Sequence, residues 1–215
     1  MFSYDKKYSS HSAVFGENPE KILVDHFKKI ENSKPVLDIG AGQGRHALFL
    51  AENGYAVEAL EPSEVGIKQM EQVSSEKSLP LFLTHADIKT FEAKADAYSA
   101  VLLFGILQVL PREEIEDLLQ SIKKWTSLGS MIFVIAFSTE EPSYAKHKQD
   151  DKEVGKHSYL DAKGFLRTYL EPNEILQLFA DYEVVHHDEH LTEAHHHGDG
   201  NIHRHAVIEA VFRVQ

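Results

Sequence analysis

The chain has 215 residues, 34 acidic against 22 basic side chains for a formal charge of −12, and no cysteine. The missing thiols exclude disulfides, thiolate metal sites and cysteine nucleophiles, and the acidic balance without a basic stripe argues against nucleic acid as substrate, since phosphate binding relies on clustered Lys and Arg. A length of this order suits one domain that buries about 70% of its unfolded surface. No run reaches the roughly 18 apolar residues of a membrane span and Met1 to Lys7 is polar, so a cytoplasmic protein that engages no membrane is the expectation.

In chain order, a stretch from Met1 to Pro19 carries Tyr4, Tyr8, His11 and Phe15 outside any sheet pattern. Residues 1–34 are read as an N-terminal cap with a lead-in helix. The segment Pro35-Val36-Leu37-Asp38-Ile39-Gly40-Ala41-Gly42-Gln43-Gly44-Arg45-His46 follows. It reads as a buried strand ending in an acid, a tight glycine turn, and a helix whose first amides point above the turn. That is a nucleotide-type pocket. A dinucleotide fingerprint requires G-x-G-x-x-G, but the third glycine falls at Gly44, and the position three beyond Gly42 is Arg45. Asp38 at the strand end would repel a pyrophosphate and suits a cationic ligand better. A sulfonium nucleoside such as S-adenosyl-L-methionine meets that requirement. Arg45 is open between reaching an acceptor and standing solvated on its helix.

Ala47, Leu48, Leu50 and Ala51 line one face of the helix after the turn, which stops at Asn53-Gly54. Tyr55 to Glu61 reads as a second strand ending in a carboxylate. Glu61 lies 21 positions after Gly40, near the spacing at which an acid reaches a ribose hydroxyl, although it also precedes the helix-start signal Pro62-Ser63. The helix begun there turns Val65, Ile67, Met70 and Val73 inward. Leu81 to Ile88 reads as a third strand ending in Asp87, whose bland role would be an N-cap. Ala100 to Gln108 reads as the fourth strand and its loop. A helix from Pro111 to Thr126 carries Ile115, Leu118, Leu119, Ile122 and Trp125 at helical spacing, with the Trp assigned to the core. Met131 to Phe137 is a continuous apolar run, hence a strand buried on both faces. Pro172 to Phe179 is the last helix, and Tyr182 to His187 with Ala206 to Val214 form a final antiparallel pair. Between them, 138–170 is polar and long enough for a lid-like loop, read as a cap insertion before the last helix.

Val36 to Arg45 resembles motif I of the class I S-adenosylmethionine-dependent methyltransferases, and the blocks ending at Glu61, Asp87 and Gln108 follow in that superfamily's order. The resemblance implies an α/β fold: a doubly wound, mostly parallel seven-stranded sheet (the Rossmann-like methyltransferase fold) with a final antiparallel strand and a small cap, as one domain over 1–215. It implies S-adenosyl-L-methionine as cofactor. Asp38, Gly40, Gly42 and Gly44 would surround its methionine moiety and the turn. Glu61 would meet the ribose, Asp87 and Ile88 the adenine, and Phe104 and Gln108 the neighbourhood of the sulfonium. Tyr4 to Tyr8, Phe104-Gly105, His197, Gly200-Asn201 and Arg204 resemble the tellurite-resistance branch. This implies a small-molecule acceptor, a chalcogen oxyanion or a thiol, methylated by in-line transfer.

Eight histidines fall between His186 and His205. His196, His197 and Arg204 are the candidate catalytic residues of this turn; a metal site, a substrate-contact loop and an exposed polar loop are its three readings. No spacing matches a defined zinc motif, so no metal ligands are assigned. A non-catalytic nucleoside- or metal-binding sensor is the alternative function, and a dinucleotide oxidoreductase is disfavoured by Asp38 and Arg45. Nothing in the sequence sets the oligomeric state.

Overall fold

Short apolar runs bounded by turn residues become strands of one sheet, and the amphipathic segments between them become its covering helices. The computed structural model describes residues 4–11, 13–196 and 202–215. The elements are α1 (Asp5–Ser10), α2 (Lys21–His26), β1 (Val36–Ile39), α3 (Arg45–Glu52), β2 (Val57–Glu61), α4 (Glu64–Lys77), β3 (Leu81–His85), β4 (Tyr98–Phe104), α5 (Arg112–Trp125) and β5 (Thr126–Phe137). They continue as α6 (Tyr144–Asp150), β6 (Lys152–Gly155), β7 (Ser158–Leu160), β8 (Leu166–Thr168), α7 (Glu174–Leu178), β9 (Tyr182–Leu191), β10 (His195–His196), β11 (Ile202–His203) and β12 (Ala206–Val214). Among the described residues no helix is long and apolar enough to cross a membrane.

The main sheet has seven strands in the order β3-β2-β1-β4-β5-β12-β9, as the doubly wound reading expects. Asp38 pairs in parallel with Ala59 of β2 and Leu102 of β4. Only β12 runs against its neighbours, pairing antiparallel with both β5 and β9. Strand order reverses between β1 and β4, and in open α/β sheets ligands lie in the crevice outside the carboxyl ends at such a point. The glycine turn leaves β1 there.

Alternate strand residues supply two cores. Leu37, Ile39, Val101, Leu103, Ile132 and Val134 pack on the α5–α7 face, with Trp125 among them. Val36, Ala59, Ala100, Leu102, Met131 and Phe133 pack under α2, α3 and α4. Both faces of the central strands are therefore dry, which is why β4 reads as a continuous apolar run.

The structure corrects several boundaries. Strand β5 starts at Thr126, ahead of Met131, because a bulge lets Thr126 pair with Tyr98 before the regular ladder begins at Ala100 and Met131. Strand β9 extends to Leu191 and α7 is confined to Glu174–Leu178. On α3, His46 is buried where Leu48 is only partly so. The 138–170 insertion is folded: α6 and the antiparallel β6-β7-β8 sheet enclose a small aromatic core. Tyr159 and Tyr169 are fully buried there, and the Tyr144 ring packs at 5.9 and 5.1 Å from theirs. Strands of three or four residues in a Lys- and Asp-rich stretch carry too little period-two signal to stand out.

Candidate functional site

The site begins at the carboxyl end of β1. Gly40, Gly42 and Gly44 take φ values of 71°, 61° and 89°, a left-handed region where any β-carbon is strained. A β-carbon on Gly44 would also stand 2.5 Å from Cγ of Met70 in α4. Asp38, just before the turn, is buried in the sheet. Burial pushes its carboxyl up to about 7, with repulsion from Glu61 adding to it, while Arg45 and the Ala47 amide pull it back. Its Oδ2 has no hydrogen-bond partner. A buried acceptor oxygen left unpaired beside a bulk-free turn is a fitting place for a cationic, hydrogen-donating group.

Glu61 ends β2 beneath the turn. Its Oε2 accepts from the Gly42 amide at 2.7 Å and its Oε1 from the Ser63 amide at 2.9 Å. It is buried, and desolvation raises its pKa against those two amide bonds. Asp87 caps the turn at Ile88–Thr90, accepting from the Lys89 amide at 3.0 Å, and both Asp87 and Ile88 are partly buried. The N-cap role is thus present, and it leaves Asp87 at the carboxyl end of β3. At the end of β4, the Phe104 ring lies 4.4 Å from that of His46. Gln108 folds back toward Gly105, with its Oε1 buried and unpaired.

Arg45 resolves to neither of its two readings. Its guanidinium donates to the Phe15 carbonyl at 2.7 Å and the Asn18 carbonyl at 3.4 Å, and pairs with Glu20 at 2.5 Å. It ties the N-terminal stretch to α3. Gln43 does the same from the turn itself, accepting from the Val14 amide at 2.7 Å and donating to the His11 carbonyl at 2.8 Å.

The C-terminal turn leaves β9 on the same side of the sheet. Arg204 is exposed and donates through Nε to the Thr192 carbonyl at 3.0 Å. His195 and His196 pair in backbone register with His203 and Ile202. His197 lies outside the described residues, and so does the His196 side chain. Among the described residues no group of three His, Asp or Glu is placed to hold a metal.

Three contacts at the site were not read from the sequence, although Tyr8 itself stood out there. Tyr8 is buried, and its hydroxyl lies 3.0 Å from where a Gly42 β-carbon would be. Its helix is fastened by Asp5, which accepts from Ser63 Oγ at 2.5 Å. His46 is buried and held neutral, since desolvation and Arg45 push its pKa well below the usual value; its Nε2 is unpaired. The His46 signal was available, as a polar residue on the inward face of α3. Glu141 is the third: it accepts from the Ala206 amide at 2.8 Å and lies 3.1 Å from His205 Nδ1, anchoring the insertion to the C-terminal turn.

The family profile described as "Tellurite resistance protein TehB" matches residues 3–150. A Haemophilus influenzae protein named "Probable S-adenosyl-L-methionine-dependent methyltransferase TehB" is 25% identical over 89% of this chain and 58% of its own length, so the chain spans less than two thirds of that relative. The crystal structure of TehB from Haemophilus influenzae superposes with a TM-score of 0.72 at 20% identity, covering 98% of this chain and 67% of that one. A Burkholderia thailandensis 1,6-didemethyltoxoflavin-N1-methyltransferase, solved with S-adenosylhomocysteine bound, shares the fold with a TM-score of 0.64 at 16% identity over 90% of this chain and 76% of its own.

Proposed function

The chain belongs to the TehB tellurite resistance protein family, and on that premise we propose that it is an S-adenosyl-L-methionine-dependent methyltransferase acting on a small-molecule acceptor. The observation that carries the reading is the unpaired, buried Asp38 Oδ2 beside three left-handed glycines. An acid there complements a donor bearing sulfonium and ammonium charge. The same acid opposes a pyrophosphate, which weighs against dinucleotide chemistry.

The donor, when bound, supplies a methyl group activated by a sulfonium leaving group. The remaining work is positioning and exclusion of water, so that nucleophile, methyl and sulfur lie in line. Asp38, Gly40, Gly42 and Gly44 hold the amino-acid end, Glu61 accepts from the ribose hydroxyls, and Asp87 with Ile88 bounds the adenine. Phe104 and Gln108 line the approach to the reacting centre. The N-terminal residues and the 138–170 insertion act as the cap of this one domain. Supporting that, Tyr8 covers Gly42, and Thr168 of the insertion donates to the Leu110 carbonyl at 2.7 Å, just beyond the Gln108 turn.

The acceptor we favour is a chalcogen oxyanion or a thiolate, nucleophiles that need no strong general base. His196, His197 and Arg204 are the residues of the C-terminal turn proposed to meet it. The same reading takes the protein as cytoplasmic.

Calorimetric titration of metal-stripped protein with S-adenosylmethionine, S-adenosylhomocysteine and NAD tests the reading. Micromolar binding of the two adenosyl ligands without NAD is expected, followed by donor turnover with tellurite, selenite or small thiols. Absence of both adenosyl ligands from the site would overturn it.

A further inference from the structure

Five arginines occur in the chain, and three are neutralised by a carboxylate: Arg45 by Glu20, Arg112 by Glu174 and Arg213 by Glu183. Arg167 of β8 is not, among the described residues. Its Nη1 donates to the Leu166 carbonyl at 3.2 Å, its guanidinium lies 3.8 Å over the Phe165 ring, and it donates to the Tyr4 hydroxyl. It is partly buried, and burial lowers its pKa. Glu141 is the carboxylate whose field reaches it, but both Glu141 oxygens are engaged by Ala206 and His205. In a chain with a twelve-charge acidic excess, a half-desolvated cation without a contacting carboxylate is unusual. Withdrawing a guanidinium from water costs free energy that an anion at contact distance offsets.

Its place in the fold says which anion. Strand β8 packs against the 107–109 turn that carries Gln108, the Thr168 bond to Leu110 fixing the two together. On the other side, Tyr4 stacks on Tyr8 at 5.6 Å between ring centroids, and Tyr8 overlies Gly42. Through Glu141 the same insertion reaches the C-terminal turn. Arg167 therefore stands where the N-terminal cap, the β4–α5 turn and the insertion converge on the mouth of the proposed pocket. A guanidinium fork matches two oxygens on one centre, as a carboxylate or a chalcogen oxyanion presents them.

We propose that Arg167 is an anion-binding, specificity-determining residue of the acceptor site, taking a pair of anionic oxygens on the methyl acceptor, with the Tyr4 hydroxyl as its partner in the free protein. This rests on the methyltransferase reading for the acceptor's identity as a substrate, not for the anion site itself.

The test is calorimetric titration of the full chain with sodium selenite and, separately, sodium benzoate, each with and without saturating S-adenosylhomocysteine. Arg167→Met is expected to weaken binding of the preferred anion about tenfold or more, with S-adenosylhomocysteine affinity within about threefold of wild type. Arg167→Lys, which keeps the charge but loses the fork, is expected to retain part of the affinity and guards against a Met variant that fails to fold. A thermal melt establishes that each variant is folded. Selenite bound more tightly than benzoate assigns an inorganic oxyanion, and the reverse an organic acid. Unchanged affinity for both anions in folded Arg167→Met overturns the proposal, as does wild-type protein that binds neither. Failure of S-adenosylhomocysteine to bind would overturn the methyltransferase reading instead; the titrations without it still decide Arg167.

Discussion

The Tyr8 hydroxyl stands 3.0 Å from the point a Gly42 β-carbon would occupy, so a helix near the start of the described chain rests directly on the turn that follows the first strand. Gly66 of α4 presses on the same residue: its own β-carbon would come 2.4 Å from the Gly42 carbonyl oxygen. The turn is shaped as much by these two neighbours as by its own dihedral angles.

Gly66→Ala separates contact from propensity. In a helix the exchange ordinarily gains up to about 1 kcal/mol. Here the obstruction is backbone, so we expect a loss of about 1–3 kcal/mol in urea unfolding, together with weaker S-adenosylhomocysteine binding. A more stable variant with intact binding would show that the turn yields.

Asp38 gives the site a pH signature. Its native pKa, about 7, is raised above the ordinary aspartate value of 3.8, so the folded state holds the proton more tightly than the unfolded one. The associated stability is fully present below about pH 4 and declines as pH rises to about 7, by at most about 4 kcal/mol. Asp38→Asn should flatten that decline, leaving the variant more stable than wild type near pH 8 and similar near pH 4. Donor binding should release a proton between these limits, visible as a dependence of calorimetric enthalpy on the buffer's ionisation enthalpy.

Glu61 is both a support and a proposed ligand. Glu61→Ala strips acceptors from the Gly42 and Ser63 amides and should weaken donor binding by roughly 1–3 kcal/mol. Glu61→Gln keeps one acceptor oxygen and should lose less. Unchanged donor affinity in both variants removes Glu61 from the site.

Arg45→Ala should loosen the N-terminal stretch without unfolding the sheet. Three contacts, to Glu20 and to the carbonyls of Phe15 and Asn18, disappear together. We expect about 1–2 kcal/mol less stability, and faster proteolysis and amide exchange confined to residues 13–20. Exchange rates equal to wild type there would show that Gln43 alone holds the segment.

What could be read beforehand was what is encoded locally. The glycine turn, the acid before it and the apolar runs of β1, β4 and β5 announce themselves within a dozen residues, and the doubly wound seven-stranded sheet followed from the superfamily they resemble. Arg45 stayed open because its partners, two of them backbone carbonyls, belong to a segment with no sheet or helix pattern. Tyr4 and Tyr8 stood out as a short motif, but what they touch did not: Tyr4 meets Arg167 across most of the chain, and nothing local to Arg167 announces that contact. The insertion's aromatic core was missed because its strands are too short to show alternation. Of the C-terminal histidines, His205 has a described role, stacked on Phe137 at 5.0 Å and beside Glu141.

The antiparallel strand β12 has a consequence for biosynthesis. It fills the gap between β5 and β9, and Ala206, Ile208, Ala210, Val211 and Phe212 are all buried within it. During translation the ribosome therefore delivers a partial sheet whose β5 margin stays apolar and unpaired until β12 has cleared the exit tunnel. Strands β1 to β5 can pair before then, but β9, whose one sheet neighbour is β12, cannot, so the nascent chain carries a sticky β5 edge until β12 emerges. Slow translation would lengthen that exposure, and holdase chaperones are the machinery suited to shield it.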